Sequence, residues 1–211
     1  MAIATFDLTV QSVEIIGKSL MYVELTREDV EVFNFIPGQF ITFLFETEEG
    51  VKRRSYSIAN LKTHQNRLEI VLSYIKGGLA SEIFYHAKAG DKIKAMGPVG
   101  RLIMRDEPLN RYILVGTGTG IAPYRAMLDQ LVARVCEQDF KVIILQGVQY
   151  RQDLLYRDDF LKYASDHPQI EFRAHYSRES DHDLASYEHI GYVQTAFDSL
   201  NLDPKKDAVY L

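Results

Sequence analysis

The stretch Tyr112-Ile-Leu-Val-Gly116-Thr-Gly-Thr-Gly120-Ile-Ala-Pro123 decides the fold of the second half of the chain. It combines a short apolar run that is typical of a buried strand, a turn rich in glycine, and a proline of the kind favoured in the first turn of a helix. A strand, a tight turn and a helix in this order predict a parallel α/β unit. The backbone N–H groups of the turn and the positive end of the helix dipole predict a phosphate-binding site.

The glycine spacing of this turn differs from the G-x-G-x-x-G fingerprint of Rossmann domains that bind NAD. The next strand ends in Leu145-Gln-Gly147 and offers no acidic residue for a ribose diol. The sequence therefore disfavours NAD bound in the Rossmann manner. A turn without a ligand is the alternative, although its three glycines and two threonines are more than a turn needs.

The alternation of strands and helices continues after this turn to the end of the sequence. The predicted strands are Tyr112–Val115, Lys141–Leu145 and Ile170–His175, and the predicted helices are Ala122–Gln138, one near Asp153–Ser165 and one near Tyr192–Leu200. We therefore predict an α/β domain with a parallel sheet over residues 106–211. The last residues, Asp207–Leu211, have the pattern of another buried strand with no turn after it, so we expect this domain to continue beyond Leu211.

Residues 1–105 follow a different pattern. Polar and apolar residues alternate in Phe6–Val13, Met21–Leu25 and Arg67–Tyr74, which is the period of half-buried strands. Turn signals separate these strands, and one short helix is predicted near Ala80–Ala87. We predict an N-terminal antiparallel β-barrel domain over this range.

The composition excludes several classes of protein. The 211 residues carry 24 Lys and Arg against 29 Asp and Glu, a net charge of −5, which excludes a generally basic nucleic-acid binder. The single cysteine, Cys136, excludes a disulfide framework within the chain and an iron–sulfur cluster held by several thiolates. The histidines lack metal-ligand spacing, so we predict no metal site. No apolar run is long enough for a membrane span and the first residues lack the layout of a signal peptide, so we expect a cytoplasmic protein that does not bind membranes.

Two segments of the first half carry residues suited to a nucleotide. In Arg54-Ser-Tyr-Ser57, which we place between two strands, the arginine can bind a diphosphate and the tyrosine can stack on an aromatic ring. Taken alone, a solvated basic strand edge with a packed tyrosine is the more frequent explanation of this pattern. The second segment, Gly77-Gly-Leu-Ala-Ser81, opens the short helix and gives another helix N-terminus for a phosphate. A hairpin turn followed by a serine cap is the alternative there.

Together these segments resemble the ferredoxin–NADP reductase superfamily over nearly the whole chain, in the order of that family. The resemblance rests on Pro37-Gly-Gln-Phe40, Arg54-Ser-Tyr-Ser-Ile-Ala-Asn60, Gly78-Leu-Ala-Ser81, Gly97-Pro-Val-Gly100, Gly116 to Pro123, Asp153-Leu-Leu-Tyr156 and Ser177-Arg178. It implies a flavin-binding β-barrel followed by a pyridine-nucleotide-binding domain, with FAD as the commoner flavin in the family and FMN left open.

The resemblance implies roles for residues of the first half. Arg54 would pair with the flavin phosphate, Tyr56 would stack on the isoalloxazine ring, and Ser57 would bond near the reactive N5 atom. Tyr56 and Ser57 are the predicted catalytic residues, and Ser55 lies within the same cofactor-binding segment. The backbone of Gly77, Gly78, Leu79, Ala80 and Ser81 would hold the flavin diphosphate.

The resemblance also implies nucleotide-binding residues in the second half. The diphosphate of NADP would contact Thr117, Gly118, Thr119, Gly120 and Pro123, together with Gly147 after the next strand. Ser177 and Arg178 match the pair that binds a 2′-phosphate, and Tyr192 and Gln194 align with residues used on the adenine. An arginine fork with a hydroxyl suits a dianionic phosphate, which favours NADP over NAD.

Three departures from the family pattern concern the nucleotide. Gln149 stands where many members carry an arginine, and Ile190 replaces a lysine of the plant-type enzymes. The Cys-Gly-x-Pro turn that lines the nicotinamide site in the family is absent from this sequence, and Cys136, which lies in a predicted helix, cannot replace it.

The implied activity is transfer of a hydride from NADPH to the flavin and of single electrons to a separate ferredoxin or flavodoxin. A basic group comprising Lys52, Arg53, Lys88, Lys92 and Lys94 would attract such acidic carriers, and a solvated face is the alternative. We expect a monomer that binds no nucleic acid. The alternative functions are the reductase component of an oxygenase system and a flavin- or nucleotide-binding module without turnover.

Overall fold

The computed structural model describes residues 4–17, 19–30, 32–61, 67–105, 107, 109–137, 139–180 and 182–211. The chain divides into two compact units, Met1–Met104 and Arg105–Leu211. Residues 106 and 108, next to the predicted domain boundary, lie outside the described residues, as does Gln138, the predicted last residue of a helix.

The first unit is built on an antiparallel sheet. Its elements are β1 (Thr5–Ile16), β2 (Leu20–Thr26), β3 (Phe40–Thr47), β4 (Gly50–Ser57), β5 (Leu68–Ser73), α1 (Leu79–His86) and β6 (Lys92–Val99). The six strands follow the order β4-β3-β6-β1-β2-β5, and every pair is antiparallel. This confirms the predicted antiparallel fold. The segment Arg54–Ser57, predicted between two strands, instead forms the end of β4 because its residues continue the ladder with β3.

Helix α1 is anchored in the core of the first unit by Phe84. The ring of Phe84 is fully buried and meets the ring of Phe43 edge to face, with 5.2 Å between the centroids. Edge-to-face aromatic pairs are favourable beyond the area that they bury. This packing holds α1 against the sheet.

The second unit is built on a parallel sheet. Its elements are β7 (Arg111–Thr117), α2 (Ala122–Glu137), β8 (Lys141–Val148), α3 (Arg157–Asp166), β9 (Ile170–Tyr176), β10 (Glu188–Ile190), α4 (Phe197–Leu200) and β11 (Asp207–Tyr210). The strand order is β10-β9-β8-β7-β11 and all pairs are parallel, which confirms the predicted α/β class. Because the strands are parallel, their carboxyl ends meet at one edge of the sheet, where ligands bind in open α/β folds.

Two helices of the second unit are shorter than predicted. The helix expected near Asp153 begins only at Arg157. Residues Arg151–Asp153 form a separate 3₁₀ turn, and the left-handed backbone of Tyr156, with a φ of 56°, prevents a continuous helix from this turn into α3. The helix expected near Tyr192–Leu200 is a 3₁₀ turn followed by the single turn of α4. Within the described part of the chain, no helix is long and apolar enough to cross a membrane.

Candidate functional site

The glycines of the turn after β7 differ in whether the fold itself requires glycine at their positions. A Cβ atom on Gly116 would lie 2.7 Å from the backbone nitrogen of Ile121, so the turn itself requires glycine there. Gly118 has a φ of +51°, in the left-handed region that favours glycine. Gly120 has no positive φ, and a Cβ atom there would meet no atom within 4 Å. The fold therefore explains Gly116 and Gly118 and leaves the space beside Gly120 open.

Gly147, predicted to contact the nucleotide diphosphate, has a packing role in the fold. A Cβ atom on Gly147 would lie 3.0 Å from Cβ of Val193, which belongs to the 3₁₀ turn after β10. The close approach of Val193 accounts for this glycine without a ligand.

The loops after β8, β9 and β10 lie side by side. The N–H of Ser177 donates to the carbonyl of Val148 and the N–H of Arg178 donates to the carbonyl of Gln149, both at 3.0 Å. The N–H of Gly191 donates to the carbonyl of Tyr176 at 2.9 Å. Ser177 is half-buried, whereas Arg178, Tyr192 and Gln194 are exposed. The structure thus brings Ser177 and Arg178 beside Gln149, at the carboxyl edge of the sheet that also carries Tyr192.

An ion pair that the sequence analysis missed stabilises these loops. The Nε and Nη2 atoms of Arg151 donate to the two carboxylate oxygens of Glu188 at 2.9 and 3.0 Å, and the hydroxyl of Tyr176 donates to Oε1 of Glu188 at 2.7 Å. Burial acts to raise the pKa of Glu188, but hydrogen bonds from the N–H of Ala185, from Tyr176 and from Arg151 hold this pKa below its usual value. No local motif joins Arg151 to a glutamate 37 positions away, so periodicity could not predict the pair.

His175 lies on β9, two residues before Ser177, and is almost completely buried with 4% of its surface exposed. Its ring stacks on that of His189, with 5.0 Å between the centroids. Neither ring nitrogen of His175 has a hydrogen-bond partner among the described residues. Burial first, and then the neighbouring His189 and Arg173, lower the pKa of His175 to about 4.

On β4, two of the predicted flavin-binding residues share one face. Arg54 and Tyr56 are two positions apart and therefore project to the same side of the strand. Tyr56 is half-buried, its ring centroid 6.0 Å from that of Phe43. Ser55 projects to the other side, where its hydroxyl lies 2.8 Å from that of Thr42. Ser57, the last residue of β4, is half-buried.

The loop before α1 uses some of its own polar groups. The N–H of Gly77 donates to Oε1 of Glu82 at 2.7 Å, and the hydroxyl of Ser81 accepts from the N–H of Ile75 at 3.0 Å. Gly78 is required by the fold because a Cβ atom would lie 2.9 Å from the carbonyl oxygen of Ile75. The N–H groups of the first turn of α1, at Leu79, Ala80 and Ser81, have no acceptor within the helix, and the N-cap residue Gly78 offers them no side-chain acceptor. These three groups, and not the N–H of Gly77, are the donors that fit a diphosphate.

The predicted basic group is not one continuous unpaired surface. Lys52 forms an ion pair with Glu49 at 2.7 Å, and Lys92 forms one with Glu28 at 3.0 Å. Arg53 and Lys94 are exposed on β4 and β6, which β3 alone separates in the sheet. Among the described residues neither has an ion-pair partner, and the same holds for Arg54 on β4, so the unpaired basic side chains of these strands are Arg53, Arg54 and Lys94. Across all the residues that the structure describes, no group of three or more His, Cys, Asp or Glu side chains could hold a metal ion.

Two family models match the chain, one in each unit. The oxidoreductase FAD-binding domain matches residues 7–103, and the oxidoreductase NAD-binding domain matches residues 114–211. The chain is also 32% identical over 139 residues to the ferredoxin–NAD(P)(+) reductase component of the naphthalene 1,2-dioxygenase system of Pseudomonas putida, a match to 65% of this chain and 40% of the relative. It is 28% identical over 152 residues to ferredoxin–NADP reductase B of Sorangium cellulosum, with 72% and 62% covered. The chain therefore spans less than two thirds of the length of these curated relatives.

Solved structures share the fold of both units. A cytochrome P450 reductase of Amycolatopsis, GcoB, superposes with a TM-score of 0.82 at 27% identity over 99% of this chain and 62% of that one. A ferredoxin NADP+ reductase from Neisseria gonorrhoeae with bound FAD and NADP superposes with a TM-score of 0.79 at 21% identity over 97% of this chain and 83% of that one. With an FAD-binding domain followed by an NAD-binding domain over nearly its whole length, the chain belongs to the ferredoxin–NADP reductase superfamily.

Proposed function

We propose that this chain is an NAD(P)H oxidoreductase that passes electrons between NADPH and a separate one-electron carrier, a ferredoxin or flavodoxin, through bound FAD. Residues 1–105 form the FAD-binding domain and residues 106–211 the NADP-binding domain. The observation that carries the proposal is that one chain contains both family domains. In each domain a helical segment begins at a glycine-containing turn without a side-chain cap, which leaves backbone N–H groups that can bind a diphosphate.

In the first domain, the face shared by Arg54 and Tyr56 binds the flavin. The exposed guanidinium of Arg54 pairs with the flavin phosphate, and the ring of Tyr56, held against Phe43, stacks on the isoalloxazine. Ser57 positions a hydroxyl near N5, and the first-turn N–H groups of α1 bind the diphosphate.

In the second domain, the open space beside Gly120 admits the diphosphate of the nucleotide close to the backbone. Ser177 and Arg178 bind the 2′-phosphate, and the exposed ring of Tyr192 covers the adenine, with 69% of its surface free for this contact. When bound, NADPH and FAD supply hydride transfer followed by single-electron release, and the protein binds and orients them.

A second candidate function is the reductase component of an oxygenase system. It is favoured by the similarity to the naphthalene dioxygenase component and by 24% identity over 99% of this chain to the toluate 1,2-dioxygenase electron transfer component of Pseudomonas putida. Both candidates share the hydride step and differ in the protein that receives the electrons.

The FAD-loaded protein with excess NADPH should reduce an acidic ferredoxin or flavodoxin, measured anaerobically over a series of salt concentrations. We expect the double variant Arg53→Glu, Lys94→Glu to lower the second-order rate at low salt by about tenfold and to flatten its salt dependence, because uncompensated charges steer association. The matched control Lys162→Glu, Lys205→Glu changes the charge equally in the other unit and should leave the rate unchanged. Equal behaviour of the two double variants would exclude docking at Arg53 and Lys94, and no transfer to any such carrier would contradict the proposed electron acceptor.

A further inference from the structure

Glu82 lies in α1 and contacts the turn before this helix with both its backbone and its side chain. Its N–H donates to the carbonyl of Gly78 at 2.9 Å, which closes the first turn of the helix. Its Oε1 atom accepts from the N–H of Gly77 at 2.7 Å and from the hydroxyl of Tyr74 at 3.0 Å. Glu82 therefore ties the turn between β5 and α1 to the helix.

The hydrogen bond to Gly77 restrains a residue that side-chain packing does not. Gly77 is exposed, and a Cβ atom on it would meet nothing within 4 Å. Its φ of +74° lies in the left-handed region, which glycine adopts without strain but also leaves readily. The carboxylate of Glu82 thus selects one backbone conformation of this turn.

Helix α1 adjoins the residues that we propose for the flavin. The N–H groups of Leu79–Ser81, proposed to bind the diphosphate, immediately precede Glu82 along the chain. Further along the helix, the ring of Phe84 lies 6.3 Å from the ring of Tyr56, measured between centroids, and Tyr56 is proposed to stack on the isoalloxazine. The conformation of the turn before α1 therefore bears on the diphosphate end of the same site.

The charge of Glu82 acts against the same ligand. The N–H of Gly77 first, and then the hydroxyl of Tyr74, hold the pKa of Glu82 below its usual value, so its carboxylate is ionised at neutral pH. The basic side chains beside it are exposed: His86, with Nε2 3.7 Å from Oε2 of Glu82, and Lys76. A carboxylate and a diphosphate are both attracted by the positive end of the helix dipole, so the two compete for it.

We propose that Glu82 is a positioning residue for the flavin diphosphate, which orders the turn before α1 through Gly77 and limits the affinity for FAD through its charge. The two effects have opposite signs, and together they set how tightly the chain retains its flavin. This inference rests on the proposed function, because it takes the first turn of α1 to bind the diphosphate.

The test titrates the flavin-free full chain with FAD and with riboflavin, which has no phosphate. The variant Glu82→Gln keeps an oxygen acceptor for Gly77 and removes the charge, whereas Glu82→Ala removes both. We expect Glu82→Gln to bind FAD about fivefold more tightly than the wild type at low salt and equally at high salt, because salt screens the repulsion. We expect Glu82→Ala to bind FAD about fivefold more weakly than Glu82→Gln, as for the loss of a hydrogen bond.

The affinity for riboflavin should be the same in the wild type and in both variants. The matched control is Glu48→Gln, which changes the charge equally in the same unit. Glu48 is exposed in the turn between β3 and β4, at the end of β4 opposite Ser57. This control should alter the affinity for neither ligand.

The other results separate the charge, the hydrogen bonds and the proposed function. Glu82→Gln that binds FAD no more tightly than the wild type would refute the role of the charge, and equal affinities of Glu82→Gln and Glu82→Ala would refute the role of the hydrogen bonds. Parallel changes for riboflavin would overturn the whole proposal. Should Glu82→Ala not fold, the wild type and Glu82→Gln still decide the effect of the charge. A wild-type chain that binds no FAD would contradict the proposed function itself.

Discussion

Replacement of Gly116 by alanine is expected to destabilise the second unit by about 3 kcal/mol, the upper range for overpacking, because the new methyl group would meet backbone atoms. The nearest atoms are N and Cα of Ile121, at 2.7 and 2.8 Å, and C of Gly120, at 2.9 Å. None of them belongs to a flexible side chain, so the turn between β7 and α2 must shift. Chemical denaturation of the full chain, followed by circular dichroism, measures the effect.

Gly120→Ala is the matched variant, four residues further along the same turn. Its methyl group meets nothing within 4 Å and its backbone needs no positive φ, so the free energy of unfolding should stay within about 1 kcal/mol of the wild type. The methyl group would occupy the space proposed for the nucleotide diphosphate, and we expect the affinity for NADPH to fall at least about tenfold. A Gly120→Ala protein that binds NADPH as well as the wild type would show that the diphosphate lies elsewhere.

The stability of the second unit is expected to fall as the pH decreases from 6.5 towards 4, through the protonation of His175. Burial holds the pKa of this imidazole at about 4 in the folded protein, against 6.5 when unfolded. Between these values the unfolded state binds more protons, so acid favours unfolding. This difference in pKa between the two states lowers the free energy of unfolding by about 3 kcal/mol once the pH has fallen to about 4.

The measurement compares the free energy of unfolding of the wild type and of His175→Phe at each pH. Because carboxylates also titrate in this range, the informative quantity is the difference between the two proteins. Between pH 7 and pH 4 the wild type should lose about 3 kcal/mol more of its free energy of unfolding than His175→Phe loses. Replacement of the exposed His182 by glutamine should not have this effect. Parallel curves for the wild type and His175→Phe would contradict the assignment.

The sequence predicted the features that depend on local pattern. Alternation located β1, β2 and β5, and the apolar run before Gly116 predicted β7 and α2 because their signals lie within a few residues. The start of α3 was placed too early, since the left-handed backbone of Tyr156 depends on tertiary packing and carries no glycine or proline signal. Element boundaries are set by such contacts more than by propensity.

The candidate site was predictable where a motif is contiguous and not where it depends on distant pairs. Ser177-Arg178 and Arg54-Ser-Tyr-Ser57 could be read directly, but the pairing of Arg151 with Glu188 requires the fold to bring β8 and β10 to one edge. The compensation of Lys52 by Glu49 and of Lys92 by Glu28 likewise depends on side-chain placement. A count of basic residues therefore overstated the charge available for docking.

The most direct test of the account is the anaerobic visible spectrum of the FAD-loaded protein after addition of NADPH, and separately of NADH. We predict that the protein retains FAD, that Arg54→Ala weakens this retention at least about tenfold, and that NADPH bleaches the flavin bands much faster than NADH. Faster bleaching by NADH would contradict the role of Ser177 and Arg178 and favour the oxygenase-type reductase. Flavin that is bound but reduced by neither nucleotide would support a binding module without turnover, and failure to bind FAD at all would contradict the central claim.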